Sequence, residues 1–322
     1  MRIRLITPSP KAVLDGNRVT ARRWARILRD LDHQVIVQNQ YDGDSCHLLI
    51  ALHAFKSFES VRQFREHHLK KPLIVVLTGT DLYRDLGQRS QTRCSLKLAT
   101  RLVVLQKQAF AEVPEPFREK TRVIYQSAEP VKGEQAPPKR YFRVCVVGNL
   151  RPEKDPFRAA LASHQLAVQS RIRILQVGQA LSREMEKRAL HENRTNPRYR
   201  WLGSLPHGRT RRLVAGSHLV ALTSRMEGSS NVLSEALISS VPVVASRIPG
   251  LVGTLGENYQ GYFPVGDTKA LARLLRRTEM DREFYQELKA HCTRLAPLVH
   301  PQRERASWQR LLEEIWSKKE LI

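Results

Sequence analysis

The feature that most restricts this chain is a series of short, unbroken apolar runs. Each is too brief for a buried helix, and most are followed by residues with helical spacing. Val35-Ile-Val37, Leu48-Leu-Ile-Ala-Leu52 and Leu73-Ile-Val-Val-Leu77 show no polar alternation, the pattern of parallel strands covered by helices on both faces. Arg2-Ile-Arg-Leu-Ile6 precedes them, and Leu102-Val-Val-Leu105 and Arg122-Val-Ile-Tyr125 close the set. Between these strands, positions 18–31 carry Ala21, Trp24, Ala25, Leu28 and Leu31 at helical spacing, and a second helical segment covers about 58–66. The alternation then starts again. Val144-Cys-Val-Val147 leads to a helix from about Pro156, then Ile172-Arg-Ile-Leu-Gln-Val177, a helix near 182–192 and Tyr199-Arg-Trp-Leu202. His218-Leu-Val-Ala-Leu-Thr223, a helix over 232–240 and Val241-Pro-Val-Val-Ala-Ser246 follow. Strand–helix alternation made twice predicts an α/β protein of two Rossmann-like, doubly wound domains. A length of 322 residues suffices for two such cores.

Ala128 to Lys139 is polar, proline-rich and aperiodic, and reads as a linker. The predicted division is residues 1–130 for the first domain, 128–142 for the linker and 143–301 for the second domain. The final helix carries Trp308, Leu311, Leu312, Ile315 and Trp316 on one stripe. It is expected to pack back on the first domain, so that about 302–322 rejoin it.

The formal net charge is +23, which attracts nucleic acid, anionic lipid or phosphorylated small molecules. Much of it is expected to lie on solvated helix surface, as with Arg22, Arg23, Arg26 and Arg29. No nucleic-acid-binding module or aromatic stacking platform accompanies the charge, so nucleic acid is not an expected partner. No apolar run approaches the roughly 18 residues of a membrane span. The start of the chain lacks a leader-like apolar stretch, and Cys46, Cys94, Cys145 and Cys292 form no metal-like pair. These features predict a cytoplasmic protein without an integral membrane segment.

The chemistry concentrates in Glu227-Gly-Ser-Ser-Asn-Val-Leu-Ser-Glu235, a strand-to-helix turn with a carboxylate in the turn and another two helical turns on. The amides of Gly228, Ser229 and Ser230 stand where a helix start suits a phosphate. Gly148-Asn-Leu-Arg151-Pro-Glu-Lys154-Asp155 follows the first strand of the second half. Its two cations are three residues apart and suited to one diphosphate, whose departure they would stabilise electrostatically. In the first half, three strand-end loops carry polar groups: Asp15-Gly16-Asn17-Arg18, Leu52-His53-Ala-Phe-Lys56, and Leu77-Thr78-Gly79-Thr80-Asp81. Loops at the carboxyl ends of neighbouring parallel strands form the usual binding crevice of an open α/β sheet. Asp42-Gly-Asp44 has the spacing of a metal-binding Asp-x-Asp but reads as turn chemistry. Gly266-Asp267 reads as a helix cap. No metal and no cofactor are expected.

Val147-Gly-Asn-Leu-Arg-Pro-Glu-Lys154, joined to the Glu-x7-Glu turn that runs into Val241–Ser246, resembles the two-domain retaining glycosyltransferases of the GT-B architecture. That resemblance implies two domains facing across a cleft. It also implies that Arg151 and Lys154 hold a donor diphosphate, that Glu235 binds the ribose, and that Glu227 lies beside the transferred sugar. Gly148 and Asn149 would complete the loop, and Asn231 and Val232 the helix start. Gly203, Leu205 and Pro206, in Gly203-Ser-Leu-Pro-His207, match the segment that lines the nucleobase. Ser229-Ser-Asn231 and Ser239-Ser240 depart from the Gly-aromatic and Cys-Gly pairs often found there, which bears on the donor sugar.

The segments 16–26, 51–54, 75–85 and 102–106 look similar to the selenosugar synthase of selenoneine biosynthesis. This resemblance implies transfer of a sugar from a UDP-sugar, UDP-N-acetylglucosamine or UDP-glucose, to selenophosphate. The acceptor residues would be Gly16, Asn17, Arg18, His53, Lys56, Thr78, Gly79, Thr80 and Asp81, with Arg84 nearby. The rival readings are a glycosyltransferase acting on lipid-linked or envelope sugars at the inner membrane face, a nucleotide-sugar epimerase, and a nucleic-acid-binding protein.

Overall fold

The computed structural model describes residues 1–8, 15–133 and 135–317. Residues 9–14, residue 134 of the expected linker and 318–322 of the expected final segment lie outside the described residues. The chain divides into two compact units. The first comprises Met1–Ser127, Glu227–Asn231 and Pro301–Ile322, and the second Ala128–Met226 and Val232–His300.

The first unit is built on a six-stranded sheet of order β2-β1-β3-β4-β5-β6. Its strands are β1 (Arg2–Ile6), β2 (Gln34–Gln38), β3 (Leu48–Leu52), β4 (Leu73–Leu77), β5 (Arg101–Val104) and β6 (Thr121–Val123), all paired in parallel. Side chains alternate between two cores. Leu48, Ile50, Leu52, Ile74 and Val76 pack with Trp24, Leu28, Trp308 and Leu311. Leu49, Ala51, Leu73 and Val75 pack on the opposite face with Val61 and Phe64. Covering both faces is what removes polar alternation from β3 and β4. The expectation fails for β2, where Ile36 is half exposed. The strand order puts β2 at the sheet edge, so one of its faces stays wet.

The second unit also has a six-stranded sheet, of order β12-β11-β10-β7-β8-β9. It contains β7 (Phe142–Val147), β8 (Ile172–Val177), β9 (Tyr199–Trp201), β10 (Leu219–Leu222), β11 (Val243–Ser246) and β12 (Tyr262–Phe263), again parallel throughout. One continuous core joins its strands to Leu233, Leu237, Leu271, Leu275, Phe284 and Leu288. The described residues between β6 and β7 carry no helix or strand. Among all described residues, no helix is long and apolar enough to cross a membrane.

Helix boundaries follow the caps. Asp15 accepts from the Arg18 amide at 2.9 Å, so the first helix begins at Gly16 and ends at Arg29. Gly16 and Asn17 therefore stand in its first turn rather than in a loop. The helix expected over 232–240 runs Asn231–Ile238. It closes where Ser240 turns left-handed (φ 53°) and the Val241 amide donates to Ala236 O at 2.9 Å. Asp267 caps Thr268–Met280 by accepting from Ala270 N at 2.8 Å. Asp42-Gly43-Asp44 is a turn: Asp44 N donates to Asp42 Oδ1 at 3.1 Å, and Gly43 has φ 87°.

The last helix, Pro301–Ser317, belongs to the first unit. Trp308 is fully buried edge-to-face on Trp24, with ring centroids 4.7 Å apart. Trp308→Ala is expected to cost about 3–5 kcal/mol. Urea unfolding followed by fluorescence would measure the loss.

Candidate functional site

In the second unit the chain order reverses across β7 and β10, so loops leaving their carboxyl ends diverge there. The expected basic loop leaves β7 at this point. Its geometry depends on glycines. An ideal Cβ on Gly178, which has φ 148°, would lie 1.9 Å from Gly148 O, so two backbones touch with no side chain between them. Gly148 N donates to Val177 O at 2.9 Å, Leu150 N to Gln179 O at 2.8 Å, and Gly178 N to Gly203 O at 2.9 Å. Asn149 Oδ1 accepts from Gln179 N at 3.2 Å, and Trp201 Nε1 donates to Gly178 O at 2.9 Å. The loops carrying Gly148, Gly178 and Gly203 are thereby laced together at the strand ends.

Arg151 is extended and leads into a single 3-10 turn, Pro152–Lys154, which Asp155 ends in the left-handed region (φ 41°). The Thr223 hydroxyl, just past β10, lies 3.0 Å from the carbonyl oxygens of both Lys154 and Asp155. Arg225 N donates to Glu153 O at 2.8 Å. The basic loop is thus pinned to the end of β10, the strand that leads to Glu227. The Lys154 stem lies over Gly148, where an ideal Cβ would sit 3.4 Å from Lys154 Cδ. Arg151 is about two-fifths exposed, with the Glu153 carboxylate 4.0 Å away. Asp155 pairs with Arg158 at 2.8 Å and stands 3.8 Å from Arg225.

Glu235 is buried on the helix Asn231–Ile238. Its Oε1 is 2.8 Å from Nε2 of His207, the first residue of the helix His207–Ala215. Leu205 is half-buried and Pro206 exposed, immediately before that helix. His207 was not among the expected site residues. Nothing in local spacing pairs positions 207 and 235, and only the sheet order brings them together. Gly178 was missed for the same reason.

The turn Glu227–Asn231 falls in the first unit, whereas the sequence division placed it in the second domain with everything else over 143–301. The cause is backbone contact. An ideal Cβ on Gly228 would sit 2.2 Å from Thr78 O, and one on Gly79 2.9 Å from Gly228 N. Gln106 Nε2 donates to Gly228 O at 3.3 Å, and Asn231 Nδ2 to Gly16 O at 3.3 Å. The turn therefore rests on the start of the helix after β1 and on the segments that follow β4 and β5. Gly228 and Ser230 are buried, Glu227, Ser229 and Asn231 are partly exposed, and Val232, half-buried, is the first residue on the second unit's side.

The first unit also brings the other expected acceptor residues to its strand ends. Asp81 is fully buried and opens a single π-helical turn, Asp81–Asp85. Its Oδ1 accepts from Thr78 N at 2.9 Å and Gly79 N at 2.8 Å, and its Oδ2 from Ala54 N at 2.9 Å. It ties the loop after β3 to the loop after β4. His53, left-handed at φ 72°, has Nε2 2.9 Å from Thr80 Oγ1 and Nδ1 accepting from Lys56 N at 3.3 Å. Burial holds its imidazole below the ordinary range against the pull of the Asp81 carboxylate. The neutral ring then donates through Nε2. Arg18 is buried, with Nη2 donating to Asn39 Oδ1 at 3.3 Å, and Lys56 is exposed.

Residues 128–293 match the family described as glycosyl transferases group 1. None of the curated proteins matches the chain in sequence. Among solved structures, sucrose-phosphate synthase from Thermosynechococcus elongatus is similar with a TM-score of 0.79 at 16% identity, over 98% of this chain and 99% of that one. HepE from Anabaena, in complex with UDP-glucose, is similar at 0.75 and 18% identity, over 98% and 100% of the two chains. A glycosyltransferase from Rickettsia africae reaches 0.76 at 13% identity, over 98% of each. At these identities the likeness concerns the fold, which is that of GT-B glycosyltransferases.

Gly178→Ala should force the strand-end loops of the second unit apart. A stability loss of about 1–3 kcal/mol is expected from overpacking. Thermal unfolding would measure it.

Proposed function

Because this chain belongs to the glycosyl transferases group 1, we propose that it transfers the sugar of a UDP-sugar to selenophosphate, forming a carbon–selenium bond. UDP-N-acetylglucosamine and UDP-glucose are the donors of choice. The observation that carries the donor half is the placement of Lys154 over Gly148, in a loop pinned to β10 where the second sheet reverses its order. A cation held there, with Arg151 three residues before it, suits a nucleoside diphosphate. The UDP-glucose bound by HepE, which shares the fold, agrees with that choice. On this reading Glu235 takes the ribose, Gly203, Leu205 and Pro206 lie by the base, and Glu227 stands by the sugar.

In the reaction the anomeric C–O bond breaks, and its electron pair leaves on the β-phosphate oxygen of UDP. A selenium lone pair of selenophosphate forms the new bond to the anomeric carbon. The transition state is oxocarbenium-like, as at glycosidic centres. Arg151 and Lys154 stabilise the negative charge growing on UDP, which is their contribution to rate. The acceptor is already anionic and its selenium soft, so no strong base has to remove a proton from it. On this reading the anion lies by Lys56, by Arg18, whose Nη2 also donates to Asn39 Oδ1 at 3.3 Å, and by Arg84, paired with Asp85 at 3.0 Å. The resemblance of residues 16–26, 51–54, 75–85 and 102–106 to selenosugar synthase supports the acceptor.

Purified protein given UDP-N-acetylglucosamine or UDP-glucose with selenophosphate should yield UDP and a selenium-containing sugar, read by its isotope pattern in mass spectrometry. UDP release indifferent to selenophosphate, or transfer to lipid-linked acceptors alone, would overturn the assignment. Lys154→Ala should lower kcat by roughly 10²–10³-fold, as loss of one transition-state donor does, with the melting temperature unchanged. Near-normal turnover in that folded variant would remove Lys154 from the site.

A further inference from the structure

We propose that Arg23 is a positioning residue for the transfer reaction, fixing the turn Glu227–Asn231 by bridging it to the buried carboxylate of Glu304. This rests on the reading that Glu227 and its turn serve sugar transfer. By sequence, Arg23 is one of four arginines on a helix whose basic face should be solvated. Arg22, Arg26 and Arg29 are exposed, but the Arg23 side chain is only 10% exposed.

The Arg23 guanidinium is shared between two partners. Nε donates to Glu304 Oε2 at 2.9 Å, and Nη1 donates to Asn231 Oδ1 at 2.8 Å. Glu304 is fully buried in the last helix. Its Oε1 accepts from Trp24 Nε1 at 2.6 Å, and its Oε2 also accepts from Ser127 N at 3.1 Å and from the Ser127 hydroxyl. A carboxylate with that many donors and one cation is rigidly oriented. Asn231 is fixed from its other side as well, where Nδ2 donates to Gly16 O at 3.3 Å. Arg23 Nη2 is buried without a partner among the described residues. A side-on pair with Glu304 would use Nε and Nη2 together. Here the guanidinium forgoes that second bond and reaches Asn231 with Nη1 instead.

The place of this node in the chain gives it a consequence for the site. The chain passes between its two units four times: after Ser127, before Glu227, after Asn231 and before Pro301. Ser127 and Asn231 are the last residues of the first unit at two of those passages, and Glu304 stands in the first turn after the last. One ion pair thus holds the first unit's end of three of the four. Asn231 begins the helix that carries Glu235 and follows Glu227 by four residues. A shift at Asn231 therefore moves the turn that carries Glu227.

The test uses the full chain with Arg23→Lys, Asn231→Ala, the double variant, Glu227→Gln, and Arg22→Lys as the exposed control. Lysine keeps a charge beside Glu304, so the protein should fold, but it lacks the fork that reaches two partners. With UDP-glucose and selenophosphate, Arg23→Lys should lower kcat by roughly 10–100-fold, the scale of a small misplacement of reacting groups. KM for UDP-glucose should stay within about twofold, because uniform binding is untouched. The double variant should be no worse than the poorer single one, as for residues acting through one contact. Independently of turnover, amide hydrogen exchange over 227–233 should quicken by about tenfold in Arg23→Lys and Asn231→Ala, and stay unchanged in Arg22→Lys. Wild-type exchange over 227–233 in Arg23→Lys, or additive losses in the double variant, would overturn the proposal. Full turnover in Glu227→Gln would show instead that the reading of the turn is wrong, which removes the catalytic meaning of Arg23 even where exchange quickens.

Discussion

Backbone pressed on backbone governs both sites. In the second unit Gly178 meets Gly148, and in the first Gly228 meets Gly79, each at distances that leave no room for a Cβ. Parallel strands end in loops whose amides and carbonyls need partners, and direct contact lets neighbouring loops satisfy one another. Gly178 donates to Gly203 while accepting from Trp201, and Gly228 accepts from Gln106. Once the backbones are this close, the side chains have little freedom of placement. Lys154 lies over Gly148, where an ideal Cβ would be in van der Waals contact with its stem at 3.4 Å. The turn bearing Glu227 sits on Thr78 and Gly79 because no side chain separates them.

The architecture was legible because parallel strands buried on both faces leave an unmistakable mark. Leu48–Leu52 and Leu73–Leu77 are fully buried at every position, and both read correctly as strands. β2 shows the limit of that reading, since an edge position is set by strand order, which no local pattern encodes. Arg282–Leu295 went unassigned although Phe284, Leu288 and Cys292 are buried at four-residue spacing behind an Asp281 cap. Its apolar stripe is diluted by charged residues, which hid a signal that was present.

The site divides in the same way. The basic loop and the two glutamates could be found from motif and position, because a strand followed by a helix fixes where the intervening loop lies. The partners of those residues could not. His207 is 28 residues from Glu235, and Glu304 is 281 from Arg23. Charge counting misled for a related reason: an arginine at a surface-like helical position is indistinguishable by sequence from one whose guanidinium enters a buried network. Arg23 is of the second kind, and Arg65 is half-buried with its guanidinium taken up by carbonyls. Arg65 donates to the carbonyls of Leu98, Leu69 and Lys71 at 2.7 to 3.2 Å. Part of the +23 excess is therefore structural cement and unavailable to any partner.

The polar groups at the first unit's strand ends bear on what kind of acceptor chemistry is reasonable. A general base must present a lone pair of suitable pKa to the proton it removes. Asp81 gives its oxygens to the amides of Thr78, Gly79 and Ala54. His53 accepts from Lys56 N on one nitrogen, faces Thr80 with the other, and is held below the ordinary imidazole range by burial. Both groups are thus committed to holding loops together. Releasing Asp81 would leave buried amides unpaired. The acceptor we propose arrives already ionised and makes no such demand on either group.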